Sequence, residues 1–163
     1  MNHPSAIRLT SPGRLLAGLA LGLSLLAAPA VWAQGRYTIS ASGTEVTDTR
    51  TGLIWQRCSA GQSWSGGTCS GSAATYTHEA ALAYAQSQSG WRLPNVKELA
   101  SLADRSRLDP AIDADVFPGT PSYWYWSSSP VAGYADRAWG VVFDNGYFSS
   151  YNRGNDSHVR LVR

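Results

Sequence analysis

The stretch Trp91-Arg92-Leu93-Pro94-Asn95-Val96-Lys97-Glu98-Leu99 reads as the entry to a helix. Pro94 biases Leu93 toward an extended backbone, which keeps the helix from starting earlier. Asn95 followed three residues later by Glu98 has the spacing of a capping box. In that device each side chain accepts a hydrogen bond from the other residue's backbone N–H. Val96, Leu99, Leu102 and Ala103 then fall on one apolar face, so this helix is expected to run to about Asp104. Upstream, Thr77 is a natural N-cap, and Glu79 sits in the first turn where the helix dipole favours a carboxylate. Ala81, Tyr84 and Ala85 recur at helical spacing, and Gly90 is a stop signal. A first helix is therefore expected over Thr77–Gln88.

Strands flank the two helices. Val46–Gln56 reads as a hairpin whose turn is marked by Asp48, Arg50 and Gly52. After the second helix an irregular stretch rich in Asp and Pro runs to about Ser122. Tyr123–Ser129 is strand-like, and a loop is expected over Pro130–Asp136. In Ala138–Phe143, Trp139, Val141 and Phe143 share one face. Asn145-Gly146 suits a type I′ turn, because both central positions of such a turn need positive φ. Tyr147–Tyr151 then returns as a strand, and His158–Val162 is the last one. Strands, two helices and a run of strands make an α+β fold with antiparallel sheet.

The beginning of the chain has a different character. Arg8 and Arg14 precede an apolar run, Leu15–Ala28, and small residues surround Ala33. The run is about 14 residues, short of the roughly 20 needed to span a bilayer. Residues 1–33 therefore read as a secretory signal peptide cleaved after Ala33, with 34–44 as a lead-in and 45–163 as the domain. Cleavage removes Arg8 and Arg14, which account for the net charge of +2, so the remainder is formally neutral. A neutral surface argues against nucleic acid as a partner, since phosphate affinity depends on many basic contacts. It also leaves no membrane span once the signal is removed. The only cysteines, Cys58 and Cys69, bracket a Gly/Ser-rich loop. In an oxidising compartment such a pair is expected to form a disulfide, stabilising by roughly 2–3 kcal/mol through the unfolded state.

Further marks lie at Thr47-Asp48 through Thr51-Gly52-Leu53-Ile54-Trp55-Gln56, and at Gly90-Trp91-Arg92-Leu93-Pro94-Asn95 with Glu98-Leu99. Phe117-Pro118, Tyr125-Trp126-Ser127-Ser128, Trp139 with Gly146, and the terminal Val159-Arg160 and Val162-Arg163 complete the set. In this order and spacing the chain resembles the Lcl C-terminal domain family from about residue 45 onward. The resemblance implies a C-type-lectin-like fold, two helices packed on twisted antiparallel sheets, with the chain ends close together. It also implies an extracellular binding role, since the family takes its name from a collagen-like adhesin associated with sulfated glycosaminoglycans, and an oligomer such as a trimer is implied by family analogy alone. This chain departs from that pattern in having no Gly-X-Y tract and no net positive charge. The helix start is also similar to that of the formylglycine-generating enzymes, but no cysteine pair is placed for their chemistry.

Catalytic groups are sparse. The histidines after Ala33 are His78 and His158, and Ser127, Ser128 and Ser129 lie in a strand-like run without a nucleophile elbow. These serines are expected to bond to backbone. No enzyme activity, cofactor or metal is expected: Asp109, Asp113 and Asp115 read as a solvated turn cluster, short of the six to eight oxygens a calcium ion takes. Arg92, Arg160 and Arg163 are read as structural. Rings are abundant instead, for of 7 Trp, 8 Tyr and 3 Phe only Trp32 precedes the cleavage point. Trp55, Trp91, Trp126 and Trp139 are expected in the core. The expected ligand-binding set is Tyr134, Asp136, Arg137, Asn145, Tyr147, Tyr151, Asn152 and Arg153, rings and polar groups of the late loops. The expected function is an exported, non-catalytic module in the periplasm, on the cell surface or secreted, recognising a glycan or another extracellular polymer. The alternative is a subunit of a pilus or envelope complex, with an envelope or surface protein as partner.

Overall fold

The computed structural model describes residues 35–163; the signal peptide read in residues 1–33, and Gln34, lie outside the described residues. The strands are β1 (Tyr37–Ile39), β2 (Glu45–Asp48), β3 (Ile54–Gln56), β4 (Ser63–Ser65), β5 (Thr68–Ser70), β6 (Thr75–Tyr76), β7 (Trp124–Val131), β8 (Tyr134–Val142), β9 (Phe148–Asn152) and β10 (Ser157–His158). The helices are α1 (His78–Ser87) and α2 (Val96–Ala100). The fold is α+β. Among the described residues no helix is long and apolar enough to cross a membrane.

The helix signals act where the sequence puts them. Thr77 caps α1, its hydroxyl accepting from Ala80 N. The capping box of α2 is complete: Asn95 Oδ1 accepts from Glu98 N at 2.9 Å, and Glu98 Oε2 accepts from Asn95 N at 2.8 Å. Yet α2 stops at Ala100 rather than near Asp104. Leu102 and Ala103 donate to carbonyls only three residues back. That tighter winding carries Leu102 into the core, and Asp104 N turns away to Ala111 O.

Three sheets form, ordered β1-β2-β3, β6-β10-β7-β8-β9 and β4-β5. Tyr37–Ile39, read as part of a lead-in, is a strand paired with β2. The predicted hairpin is present as β2 and β3, with Gly52 at φ +74 in its turn. The sheet is not wholly antiparallel: β10 lies parallel to β7, His158 opposite Tyr125, because it returns between β6 and β7. Beyond His158 the chain leaves that sheet. Val162 bridges to Trp55 and Arg92, and Arg163 N and O exchange bonds with Ile54. The predicted last strand is thus short, and its remainder seals the seam between β3 and the α2 entry.

Alternate residues of a strand face opposite sides of the sheet. Tyr125, Val141 and Val162 accordingly join Val46, Trp55, Leu99, Phe117 and Phe143 in one buried cluster, whereas Trp126, Ala138 and Leu161 join Ala81, Ala85 and Leu93 in a second. Helix α2 covers the first and α1 the second. Each fully buried large apolar side chain stabilises by about 1.5–3 kcal/mol.

Fully buried Arg160 lies where β3, the tied loop and the Phe117 segment meet. It donates to Gln56 O at 2.9 Å, to Arg57 O, to Ser59 Oγ at 3.3 Å and to Thr120 Oγ1 at 2.7 Å, with its guanidinium over the Phe117 ring. It has no carboxylate partner among the described residues, and burial lowers its pKa. A cation held by carbonyls and hydroxyls ties these three segments together, because losing it would orphan every acceptor around it.

Candidate functional site

The late-loop residues fall into two groups. The expected loop over Pro130–Asp136 is instead a tight hairpin, with Val131 opposite Tyr134 across Ala132-Gly133. Tyr134, Asp136 and Arg137 therefore stand on β8 itself, and Tyr134 is exposed. Asn152 Nδ2 donates to Asp136 Oδ2 at 3.2 Å, and Arg153 donates from N to Asp136 O and from Nε to Arg137 O, at 2.8 and 3.0 Å. These five residues form one polar corner.

Asn145 and Tyr147 lie beyond the far end of β8, which is roughly 17 Å from Arg137 at about 3.3 Å per residue. Their turn is not type I′. Gly146 has φ +76 while Asn145 does not enter the positive region. The loop is longer, closed by Val142 N donating to Tyr147 O, because Phe143 drops into the core. The Tyr147 ring lies against the Arg105 guanidinium. Tyr151 belongs to neither end: it stacks on Trp124 with centroids 4.9 Å apart. The expected set does not line one groove.

A ring-lined cleft of about 310 Å³ lies elsewhere, bounded by Glu45 and Gln56 of the first sheet, Trp64 of the tied loop, and Tyr84, Gln88 and Trp91 of α1 and its exit. The loop that forms one wall is closed by the Cys58–Cys69 disulfide and contains the small hairpin of β4 and β5. Arg57 fixes that wall. Its guanidinium lies 4.0 Å from the Trp64 centroid and donates to Val116 O, Gly43 O and Asp115 O at 2.7, 3.0 and 3.2 Å. Gly43 is required beside it, since a Cβ there would come within 2.5 Å of Trp64 Nε1. On the opposite wall Tyr84 stacks on Tyr76 at 5.1 Å, and burial raises the Tyr84 pKa. Arg163 lies over the Trp91 ring and pairs with Glu45 at 2.7 Å. All three rings of the cleft are thus held by neighbours before anything binds.

The family model of the Lcl C-terminal domain matches residues 44–163. The chain belongs to the Lcl C-terminal domain family. The match spans β2 to β10, both helices and the cleft, leaving out β1, and membership is consistent with a non-enzymatic extracellular module. No curated protein matches the chain.

In this Lcl C-terminal domain the hydroxyls and imidazoles are engaged with backbone. Ser127 Oγ donates to Trp139 O at 2.6 Å, Ser128 Oγ donates to Pro94 O, and Ser129 Oγ accepts from Val96 N. His78 Nε2 bonds to Ser127 O and His158 Nδ1 to Ala74 O, each at 3.0 Å. A carbonyl only accepts, so those nitrogens carry the protons. Burial lowers the pKa of both histidines. Arg92 forms a bidentate pair with Glu98 at 2.7 and 2.8 Å. Asp113 accepts from Asp115 N, and among the described residues no group of three His, Cys, Asp or Glu is gathered for a metal. Trp55 and Trp126 are buried in the core; Trp91 and Trp139 are only partly covered.

The cleft has no signature in local spacing because its walls come from segments about 8 to 46 positions apart in the chain. One signal pointed to it: a tryptophan, Trp64, inside a disulfide-tied loop that is otherwise small and polar.

Proposed function

We propose that this Lcl C-terminal domain is an exported, non-catalytic module that binds a glycan or a similar extracellular polymer, on a C-type-lectin-like frame. The observation that carries the reading is the preorganised cleft. Its tryptophan and tyrosine rings, together with amide side chains, are the groups that meet the apolar faces and hydroxyls of sugars. Rings fixed in advance lose little entropy on binding. Engagement of His78, His158 and Ser127–Ser129 with backbone supports a binding role over catalysis. The apolar run and small residues around Ala33 support export. The polar corner at Tyr134, Asp136, Arg137, Asn152 and Arg153 is a secondary contact surface in this reading. A broad glycan array probed with folded protein is the test. Binding above background to at least one glycan class is expected, and a blank array would overturn the reading.

One observation favours the assembly alternative. Val96, Lys97, Ala100, Trp139 and Phe148 line a groove beside the unpaired edge of β9, and Phe148 is half exposed. Exposed apolar surface beside a free strand edge is a pairing hazard or an interface. Concentration-dependent association by light scattering, abolished by Phe148→Ser, would favour that role.

A further inference from the structure

We infer that the cleft beside the Cys58–Cys69 loop takes an uncharged saccharide, and that sulfated or phosphorylated polymers are excluded from it. The inference rests on the glycan-binding reading and adds the ligand's charge class and its contact residues. Two cations back the rings of the cleft without lining it, and both are already engaged. Arg57 is buried, with its guanidinium committed to three carbonyls and the Trp64 ring. Arg163 is paired with Glu45 across the rim. No lysine, arginine or histidine is among the lining residues, and their one acidic group is Glu45. A sulfate needs charge-assisted donors, preferably paired guanidinium N–H groups, and repels a nearby carboxylate.

What remains unengaged is neutral. Gln62 is engaged at both ends of its carboxamide, its Oε1 accepting from Ser59 N and its Nε2 donating to Gly119 O at 2.9 Å. The Gln56 carboxamide, the Tyr84 hydroxyl and the indole N–H groups of Trp64 and Trp91 have no hydrogen-bond partner among the described residues. A carboxamide and a phenol both donate and accept, as sugar hydroxyls do. The volume of about 310 Å³ is at the low end of small-ligand pockets, roughly 300–1,000 Å³. That suits a chain end or a branch sugar better than a long polymer lying along the surface.

The test is calorimetric titration of the exported protein with neutral tetrasaccharides of glucose, galactose, mannose and N-acetylglucosamine, and with a heparin-derived tetrasaccharide. Each is run at about 50 and about 500 mM salt, where screening separates charged from neutral recognition. The variants are Gln56→Ala, Tyr84→Phe and Leu108→Ala, each checked for an unchanged melting temperature. At least one neutral tetrasaccharide is expected to bind, with less than about twofold salt dependence. Gln56→Ala should weaken it about tenfold, the loss of one well-made hydrogen bond, Tyr84→Phe should weaken it less, and Leu108→Ala, at an exposed position outside both surfaces, should leave it unchanged. Salt-sensitive binding of the heparin fragment alone, or neutral binding indifferent to Gln56→Ala, overturns the inference while leaving glycan recognition standing. Binding of neither class overturns both.

Discussion

The guanidinium of Arg57 lies over the indole of Trp64, 4.0 Å from its centroid, and couples the tied loop to the rest of the domain. The same group donates to three carbonyls, those of Gly43, Asp115 and Val116. Arg57→Met keeps much of the stem's packing and orphans these acceptors. It should destabilise the domain by about 2–4 kcal/mol, since each buried unsatisfied group costs roughly 1–3 kcal/mol. The urea midpoint checks this, and Trp64 should become more accessible to a fluorescence quencher.

Cys58→Ser removes the loop closure without touching either core cluster. Folding should persist, with stability lower by roughly 2–3 kcal/mol. Comparing urea midpoints of oxidised wild type and variant tests it. An unchanged midpoint would mean the bridge adds nothing.

Gly140 sits on β8 where a Cβ would lie 2.8 Å from Tyr125 O and 3.2 Å from the Trp124 ring. Backbone cannot move aside as a flexible side chain can. Gly140→Ala should therefore cost about 1–3 kcal/mol, the usual range for overpacking, visible as a lowered melting temperature.

Stability should fall on mild acidification. Burial holds the pKa of His78 and His158 below the ordinary value. The unfolded chain then binds protons that the folded one refuses, so this contribution is complete above about pH 6.5 and is lost as pH falls below it. Two carboxylates act lower. The Arg92 guanidinium holds Glu98 down, while for Asp48 burial pushes upward and the hydrogen bonds from Arg36 and from Arg50 N, with the charges of both arginines, together outweigh it. Their contribution is lost only as pH falls below the usual carboxylate range. Urea midpoints from pH 8 to pH 3 should thus decline in two stages. Replacing both histidines with Gln should flatten the upper one.

Local signals were legible because their partners are local. Asn95 and Glu98 satisfy donors three residues away, Thr77 does the same for α1, and Asp48 and Gly52 shape one turn. The start of β8 was hidden, since Tyr134 to Arg137 are all exposed and carry no alternation of apolar and polar residues. The early end of α2 was hidden too, because Leu102 fits a continued helix as well as the tighter turn that buries it. The polar corner was half legible: Asp136, Arg137, Asn152 and Arg153 do meet, through strand pairing. Asn145 and Tyr147 stand apart from them because β8 separates the two ends. The cleft needs Gln56, Trp64, Tyr84 and Trp91 brought together by tertiary packing, which no spacing in the chain encodes.

The most direct measurement of the central claim is a two-dimensional NMR titration of labelled protein with the neutral tetrasaccharide that binds best. Shifts should concentrate on the Gln56 and Gln88 side-chain amides and on the indole N–H signals of Trp64 and Trp91. Shifts confined to Tyr134, Arg137 and Arg153, with the cleft signals unmoved at saturation, would contradict it.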